Sequence, residues 1–157
     1  MAEPSTSIDH GTHIFPLRVY YEDTDAGGVI YYANYLRFAE RARTELLREL
    51  GIDQLRLRER DGITFTVRRC QVDYLAPGGL DDTLEVWTRI LAASAATIDA
   101  EQIVRRMAPG NGGGSELARL EVKLACVNDK GRPVRLPASV VSALQPLSQS
   151  TPETKRA

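Results

Sequence analysis

The stretch YYEDTDAGGVIYYANYLRF, residues 20–38, sets an acidic turn with two glycines directly before an aromatic segment. From Ala33 to Leu50 the chain repeats apolar residues at the spacing of one helix face, which predicts a helix over that range. Gly51 is placed to end it, because glycine readily adopts the left-handed conformation of a helix C-terminus. The apolar stripe consists of Tyr35, Phe38, Ala39, Ala42, Leu46, Leu47 and Leu50. Such a stripe predicts a helix that packs one face into a core.

Strand patterns flank this helix on both sides. Before it, HIFPLRVYYED (residues 13–23) is rich in β-branched and aromatic residues. After it, four further strands and a short terminal helix are predicted at residues 63–74, 83–92, 96–107, 118–127 and 137–144. The alternation changes phase near Arg68 and Arg69, which indicates a β-bulge. One strand, one long helix and a meander of four strands predict an α+β fold whose antiparallel sheet wraps the helix. Its edge strands need covering, so an oligomer is expected.

The composition limits the classes of function. The chain has 157 residues and a formal net charge of -1, which fits one domain over residues 14–147 with flexible polar tails at 1–13 and 148–157. The balanced charge gives no reason to expect nucleic-acid binding. No apolar run approaches the roughly 20 residues of a membrane span. The N-terminal residues lack the regions of a secretion signal, so a cytoplasmic location is expected.

Histidine and cysteine positions argue against several hydrolase designs. His10 and His13 fall in the polar N-terminal segment and are expected in solvent, which removes Ser–His and Cys–His catalysis. Cys70 and Cys126 lie in strand-like stretches without metal-binding spacing and are expected to be buried free thiols. No metal site and no cofactor are therefore expected. The run GNGGG, residues 110–114, lacks the lysine of a phosphate-binding loop and predicts a hairpin loop.

The remaining candidate for chemistry is the acidic turn DTDAGG. Asp25 precedes Gly27 and Gly28, which let the backbone approach a ligand closely. The helix that follows offers free N–H groups and a partial positive charge, which stabilise an oxyanion. A carboxylate beside them can act as a nucleophile or as a general base toward water. Aspartates before helices also commonly cap or form turns, and the residues alone leave both roles open for Asp23 and Asp25. The aromatic residues expected to exclude water are Tyr31, Tyr32, Tyr35 and Phe38.

The segment RVYYEDTDAGGVIYYANYLRFAERARTELLRELG, residues 18–51, resembles the 4-hydroxybenzoyl-CoA thioesterase family, and within it the Tol–Pal-associated acyl-CoA thioesterases of bacteria. Weaker similarity continues through VRRCQVDYLAPGGLDDTLEVWTRI and PVRLP. The resemblance implies a hotdog fold, in which an antiparallel sheet wraps a central helix. It implies homodimers or homotetramers with active sites between subunits. It also implies hydrolysis of an acyl-CoA to a free acid and CoA.

The resemblance also assigns site residues. Asp25 matches the catalytic aspartate, and Tyr32 matches the position whose backbone N–H polarises the thioester carbonyl, while Asp23 stays a turn residue. Further substrate contacts are expected from Gly27, Gly28, Tyr31, Tyr35 and Arg135. Other candidates for holding the CoA phosphates are Arg68, Arg69 and Arg132. Glu40 on the helix is expected to be a solvated or interfacial charge.

One departure from the family leaves the substrate open. Many Tol–Pal-associated relatives carry a histidine where this chain has Tyr32, so no imidazole is available there, and both short-chain aliphatic and aromatic acyl groups remain candidates. An alternative function is a non-catalytic module that binds acyl-CoA or acyl carrier protein for lipid or envelope partners. The intact DTDAGG favours the enzyme, because a binding module needs no carboxylate beside the thioester. A dehydratase is disfavoured by the absence of a histidine in the predicted domain.

Overall fold

The computed structural model describes residues 6–108 and 113–149 of the chain. The strands are β1 (Ser7–Asp9), β2 (Thr12–Arg18), β3 (Thr64–Tyr74), β4 (Thr83–Ser94), β5 (Thr97–Met107) and β6 (Gly114–Val127). The helices are α1 (Asn34–Glu49), the short α2 (Gln54–Arg56), which continues into a wider turn at Leu57–Asp61, and α3 (Ala138–Gln149). All pairings are antiparallel, in the order β1-β2-β4-β5-β6-β3.

The core lies between α1 and the sheet. α1 packs against β2, β4 and β5. Its predicted stripe is buried at Tyr35, Phe38, Ala39, Ala42, Leu46 and Leu47. Alternate residues of β4 face the same core, as the period of a strand requires. The predicted α+β architecture, an antiparallel sheet around one long helix, is confirmed, and α1 begins and ends within one residue of the predicted range.

The position of β3 differs from the predicted meander. β4, β5 and β6 are successive neighbours, but β3 pairs with β6 at the far edge of the sheet and not with β4. Residues 76–82, predicted to be a turn, instead belong to a crossover segment that runs from this edge back to β4. On the way it contacts the segment before α1, because Ile30 N–H donates to Gly78 O at 2.9 Å. The predicted bulge in β3 is present between Val67 and Arg69.

The N-terminal segment is more ordered than the sequence predicts. Residues 7–9 and 12–18 are strands, so the prediction of a flexible tail over residues 1–13 is wrong for this part. The expectation that His13 lies in solvent is also wrong, because only 1% of it is exposed. Its Nε2 lies 3.1 Å from Glu49 Oε2 at the end of α1. The alternation of side chains along β2 turns His13 inward. This alternation is not apparent in the sequence, because the residues just before His13 are polar.

The two cysteines have different environments. Cys126 is buried, as predicted, but Cys70 is exposed, which corrects the expectation of two buried thiols. The reason is that Cys70 lies on the edge strand β3, which is exposed along most of its length. α3 runs to Gln149, beyond the predicted domain boundary at residue 147. Most of the C-terminal tail and residues 110–112 of the predicted hairpin loop lie outside the described residues.

Candidate active site

Asp25 lies in a small closed loop between β2 and α1. The loop is closed by an antiparallel bridge between Thr24 and Ile30. Asp25 N–H donates to Val29 O at 2.9 Å, and Gly28 N–H donates to Asp25 O at 3.0 Å. The carboxylate Oδ1 accepts hydrogen bonds from Gly27 N–H at 2.8 Å and from Val29 N–H at 3.4 Å. Within the described residues Oδ2 has no hydrogen-bond partner, so the carboxylate is held by one oxygen and offers the other, and the side chain is exposed in the single chain.

The geometry of this loop favours glycine at both positions. A Cβ at Gly27 would lie 3.2 Å from Asp25 Oδ1, closer than side-chain atoms usually approach. Gly28 has a φ of 79°, which residues with a Cβ adopt only at a cost. These two positions therefore fix the carboxylate, and their predicted contact with substrate stays a prediction.

Asp23 has the structural role expected of it. Its side chain is 5% exposed. Oδ2 accepts a hydrogen bond from Tyr20 N–H at 2.8 Å, and Oδ1 accepts one from the Asn34 side-chain amide at 2.8 Å. Its carbonyl accepts a third from Tyr31 N–H at 2.8 Å. Asp23 thus ties the end of the first strand segment to the first residue of α1. Asn34, which is also buried, was not singled out in the sequence, because the N–H of its side chain donates to a carboxylate eleven residues earlier and no local pattern links the two.

The crossover segment supports the loop from the other side. Val29 and Gly79 form an isolated bridge beside the Ile30–Gly78 hydrogen bond. A Cβ at Gly78 would lie 2.6 Å from Ile30 Cδ1 and 2.8 Å from Leu117 Cδ1, so a side chain here would have to displace the ends of these two buried side chains. The sequence gives a signal for a turn here in APGGLDD, but it does not reveal which segment the turn contacts.

The start of α1 presents a free backbone donor among aromatic rings. Asn34 N–H donates to Tyr31 O at 2.8 Å, whereas Tyr32 N–H finds no acceptor in the described part of the chain. Tyr32 O accepts a hydrogen bond from the Tyr74 hydroxyl at 2.9 Å. The ring centroids of Tyr35 and Tyr74 are 5.5 Å apart. Burial raises the pKa of Tyr35 and of Tyr74, so both remain protonated phenols near neutral pH.

The predicted aromatic shield is only partly formed in one chain. Tyr35 and Phe38 belong to the core. Tyr31 and Tyr32 are 44% and 61% exposed. Their rings lie 4.9 Å apart between centroids, and Tyr32 also lies edge-on to Tyr74 on β3. The exposed tyrosines and the exposed edge strand therefore lie next to each other.

Arg135 is not brought to this site within one chain. It is exposed, in the segment between β6 and α3, and its carbonyl lies 4.0 Å from Cys126 Sγ. The crossover segment contacts β6 at Leu117, at the other end of the strand. The two ends are about 30 Å apart at the rise of an antiparallel strand. A contact between Arg135 and a substrate at Asp25 therefore stays a prediction that requires another subunit or a long ligand.

A groove extends from the start of α1 along its open flank. It lies between α1 and the strands β3 and β6 and has a volume of about 480 Å³. Leu36 and Arg37 line the end nearest the Asp25 loop, and Gln54 lines the far end. Glu40 also lines it and is exposed, in agreement with the expected solvated charge. Among residues 6–108 and 113–149, no cluster of three metal-ligating side chains is present, and no helix is long and apolar enough to cross a membrane.

Comparison with protein families defines the class of this fold and site. Residues 19–144 match the thioesterase-like superfamily, and the chain belongs to that family. A mutant 4-hydroxybenzoyl CoA thioesterase complexed with 4-hydroxybenzoyl CoA superposes with a TM-score of 0.79, covering 85% of this chain and 98% of that one, at 20% identity. A probable thioesterase from Bartonella henselae superposes with a TM-score of 0.72 at 36% identity, covering 80% and 99%. The predicted hotdog fold and thioesterase class are confirmed.

More specific similarity is to acyl-CoA thioesterases called YbgC. The protein of that name from Haemophilus influenzae is 45% identical over 141 residues, which cover 89% of this chain and 98% of the relative. The acyl-CoA thioester hydrolase YbgC of Escherichia coli is 42% identical over 129 residues, covering 82% and 92%. Both relatives align over nearly their whole lengths, so the similarity extends over most of this chain.

Proposed function

We propose that this protein hydrolyses acyl-CoA thioesters to a free acid and CoA at the loop that precedes α1. The thioester carbonyl oxygen accepts a hydrogen bond from Tyr32 N–H at the positive end of the helix. Asp25 attacks the carbonyl carbon to give a mixed anhydride that water then cleaves, or it takes the proton of the attacking water. In either route the C–S bond breaks and CoA leaves as the thiol.

The observation that carries this proposal is the geometry of the Asp25 carboxylate. One oxygen is held by backbone N–H groups of the loop, and the other has no partner in the described residues. A helix start with an unused N–H follows directly. An aspartate that only formed the turn would use both carboxylate oxygens as acceptors within the protein, as Asp23 does. The YbgC relatives, which are acyl-CoA thioesterases by name, support the same reaction.

Release of free thiol from a panel of aliphatic and aromatic acyl-CoAs tests the proposal. Asp25→Asn keeps the shape of the side chain and should lower kcat by at least about 100-fold, the usual scale for a lost acid–base group. Glu22→Gln is the matched control, because Glu22 is an exposed carboxylate in the same segment, and it should leave kcat unchanged. Equal rates for native protein and Asp25→Asn would remove Asp25 from the mechanism.

The alternative function is a non-catalytic module that binds acyl-CoA or acyl carrier protein. Both ligands present a thioester on the same pantetheine arm, so the loop and helix start could hold either one. Acyl carrier protein therefore stays a proposed partner, and so does any link to the Tol–Pal envelope system. Binding of acyl-CoAs by the native protein without release of thiol from any of them would favour the binding module.

A homodimer or homotetramer is the proposed assembly. Among the strands of residues 6–108 and 113–149, β3 lies at the edge of the sheet with one side unpaired. Its side chains are largely exposed, with Val67 and Tyr74 each 48% exposed. A second copy that pairs with this edge would cover both the strand and the tyrosines beside Asp25. The expected cytoplasmic location remains a prediction of the sequence.

A further inference from the structure

The groove along α1 contains Arg43, a cation that forms no ion pair with any carboxylate of the described residues. Its floor is apolar and formed by Leu47, Phe65, Val67, Val122 and Leu124. Arg43 lines its wall and is only partly exposed. Burial lowers the pKa of this arginine, and Glu40 and Cys70 act on it only at longer range. Among residues 6–108 and 113–149, no carboxylate oxygen lies within 4.0 Å of its guanidinium.

Arg43 is held in place by the core. Its Nη1 donates to Oε1 of Gln102 on β5 at 2.9 Å. Gln102 is fully buried, and its Nε2 donates to Ala39 O at 2.9 Å and to Thr88 Oγ1 at 3.0 Å. The carbonyl oxygen of Ala39 can only accept, so it requires the amide nitrogen and leaves the amide oxygen facing Arg43. A buried polar network of this kind is favourable only when its members are satisfied. Here it fixes one edge of the guanidinium, and the other donors of the guanidinium have no acceptor among the described residues.

These contacts define a binding site for an anion that also has an apolar body. A partly buried charge without a counter-charge is costly, and a planar guanidinium pairs best with a carboxylate through two parallel hydrogen bonds. The groove begins at Leu36 and Arg37 in the first turn of α1, about one helical turn along the chain from Tyr32, whose N–H is the proposed carbonyl donor. Along the helix, Asn34 and Arg43 are separated by roughly 13 Å, and a helical side chain leans toward the N-terminus and shortens that span.

On the basis of the proposed function, we infer that the groove binds the acyl group and that Arg43 selects acyl groups that end in a carboxylate. The substrate class is the mono-CoA thioester of a medium-length dicarboxylic acid. The thioester lies at the start of α1, the methylene chain lies on the apolar floor, and the distal carboxylate pairs with Arg43. Glu40 does not replace this carboxylate, because its side chain is exposed and it forms no ion pair with Arg43.

Matched pairs of substrates test this inference. Succinyl-, glutaryl- and adipoyl-CoA are each compared with the neutral acyl-CoA of the same chain length, and kcat/KM is measured for both. The native protein should prefer the acidic member of at least one pair by about tenfold or more, the scale of one charge-assisted hydrogen bond in a desolvated site. Equal kcat/KM for the two members of every pair, or a preference for the neutral member, would overturn the inference.

Variants of the arginine separate its charge from its bulk. Arg43→Met should abolish the preference for the acidic acyl group while it retains turnover of the neutral one, and Arg43→Lys should restore part of the preference. Arg41→Met is the matched control, because Arg41 is an exposed arginine of the same helix outside the groove, and it should leave the preference unchanged. Sedimentation of each variant reports the oligomeric state. A change in assembly by Arg43→Met with an unchanged substrate preference would show that the arginine pairs with another subunit, which overturns the inference.

A binding measurement separates this inference from the proposed hydrolysis. Non-hydrolysable thioethers of CoA that carry an acidic or a neutral chain are titrated into the native protein and Arg43→Met by calorimetry. Selective binding of the acidic thioether without turnover of any thioester would refute the hydrolase and keep the anion site. Turnover of neutral acyl-CoAs with equal binding of both thioethers would keep the hydrolase and refute the anion site.

Discussion

Mutation of the two aspartates of the acidic turn is expected to affect two different properties, stability for Asp23 and activity for Asp25. The stability of an Asp23 variant tests the structural role of that side chain. Asp23→Ala removes a buried carboxylate that accepts hydrogen bonds from Tyr20 N–H and from the Asn34 side chain, each at 2.8 Å. The carboxylate is 5% exposed and Asn34 is also 5% exposed, so little water can replace the lost acceptor. The variant should therefore lose stability, whereas Asp25→Asn should lose activity.

The size of the effect follows from these contacts. A hydrogen bond to a charged group contributes about 1.5–3 kcal/mol, and a buried donor left without an acceptor costs about 1–3 kcal/mol. The loss of a hydrogen bond and the cost of its unsatisfied donor are partly the same free energy, so they are not added in full. For two such bonds the expected loss in the free energy of unfolding is about 3–5 kcal/mol. A domain of this size has about 5–15 kcal/mol in total, so the variant should still fold at low temperature.

Urea denaturation of Asp23→Ala, Asn34→Ala and the double variant measures this loss and its origin. Protein concentration must be held fixed, because assembly would add to the apparent stability. The double variant should be less destabilised than the sum of the single variants by about 1–3 kcal/mol, which is the coupling expected for residues in direct contact. A loss below about 0.5 kcal/mol for Asp23→Ala, or single effects that simply add, would refute the structural role of the Asp23–Asn34 contact.

Two further predictions concern the other end of α1 and the edge of the sheet. Burial lowers the pKa of His13 despite the nearby carboxylates of Glu49 and Glu45, so the unfolded chain binds the proton first, and the free energy of unfolding should fall as pH decreases below about 6.5. Urea denaturation across this pH range should show that the free energy of unfolding depends less on pH in His13→Gln than in the native protein. An identical pH dependence in the two proteins would show that His13 is not the titrating group. Val67→Lys places a charge on the exposed edge strand and should weaken self-association by about tenfold or more in sedimentation experiments. An unchanged mass would exclude β3 as the interface.

The sequence determines the local elements better than their neighbours in space. α1 is readable because its apolar residues repeat at helical spacing and all face one core. The register shift at Val67 and Arg69 is readable from a change of phase within one strand. The neighbour of β3 is not readable, because strand pairing depends on the path of the crossover segment and not on the strand itself. The exposed Cys70 follows from the same error, since an apolar alternating strand looks identical at the centre and at the edge of a sheet.

The same limit applies to the candidate site. DTDAGG identifies the loop, yet the residues that hold it, Asn34 and Gly78, lie on α1 and on the crossover segment. The network of Arg43, Gln102 and Thr88 joins one helix to two strands, and no local pattern relates these three positions. Arg135 was predicted at the site but lies at the other end of the sheet. A basic residue in a turn near the end of the chain does not indicate which end of the sheet that turn occupies.

The exposed tyrosines, the edge strand β3 and the open groove all lie on one flank of the single chain. We infer that a second copy of the chain covers this flank. Tyr32 is 61% exposed, and its carbonyl accepts a hydrogen bond from Tyr74 on the edge strand β3. The groove that holds Arg43 opens on the same flank, because β3 forms part of its floor. A thioesterase site must exclude bulk water to strengthen the polarisation of the carbonyl. One chain leaves this flank open, and a second copy paired along β3 would close the site, the tyrosine cluster and the acyl groove together. Activity should therefore depend on protein concentration in the range where the oligomer dissociates.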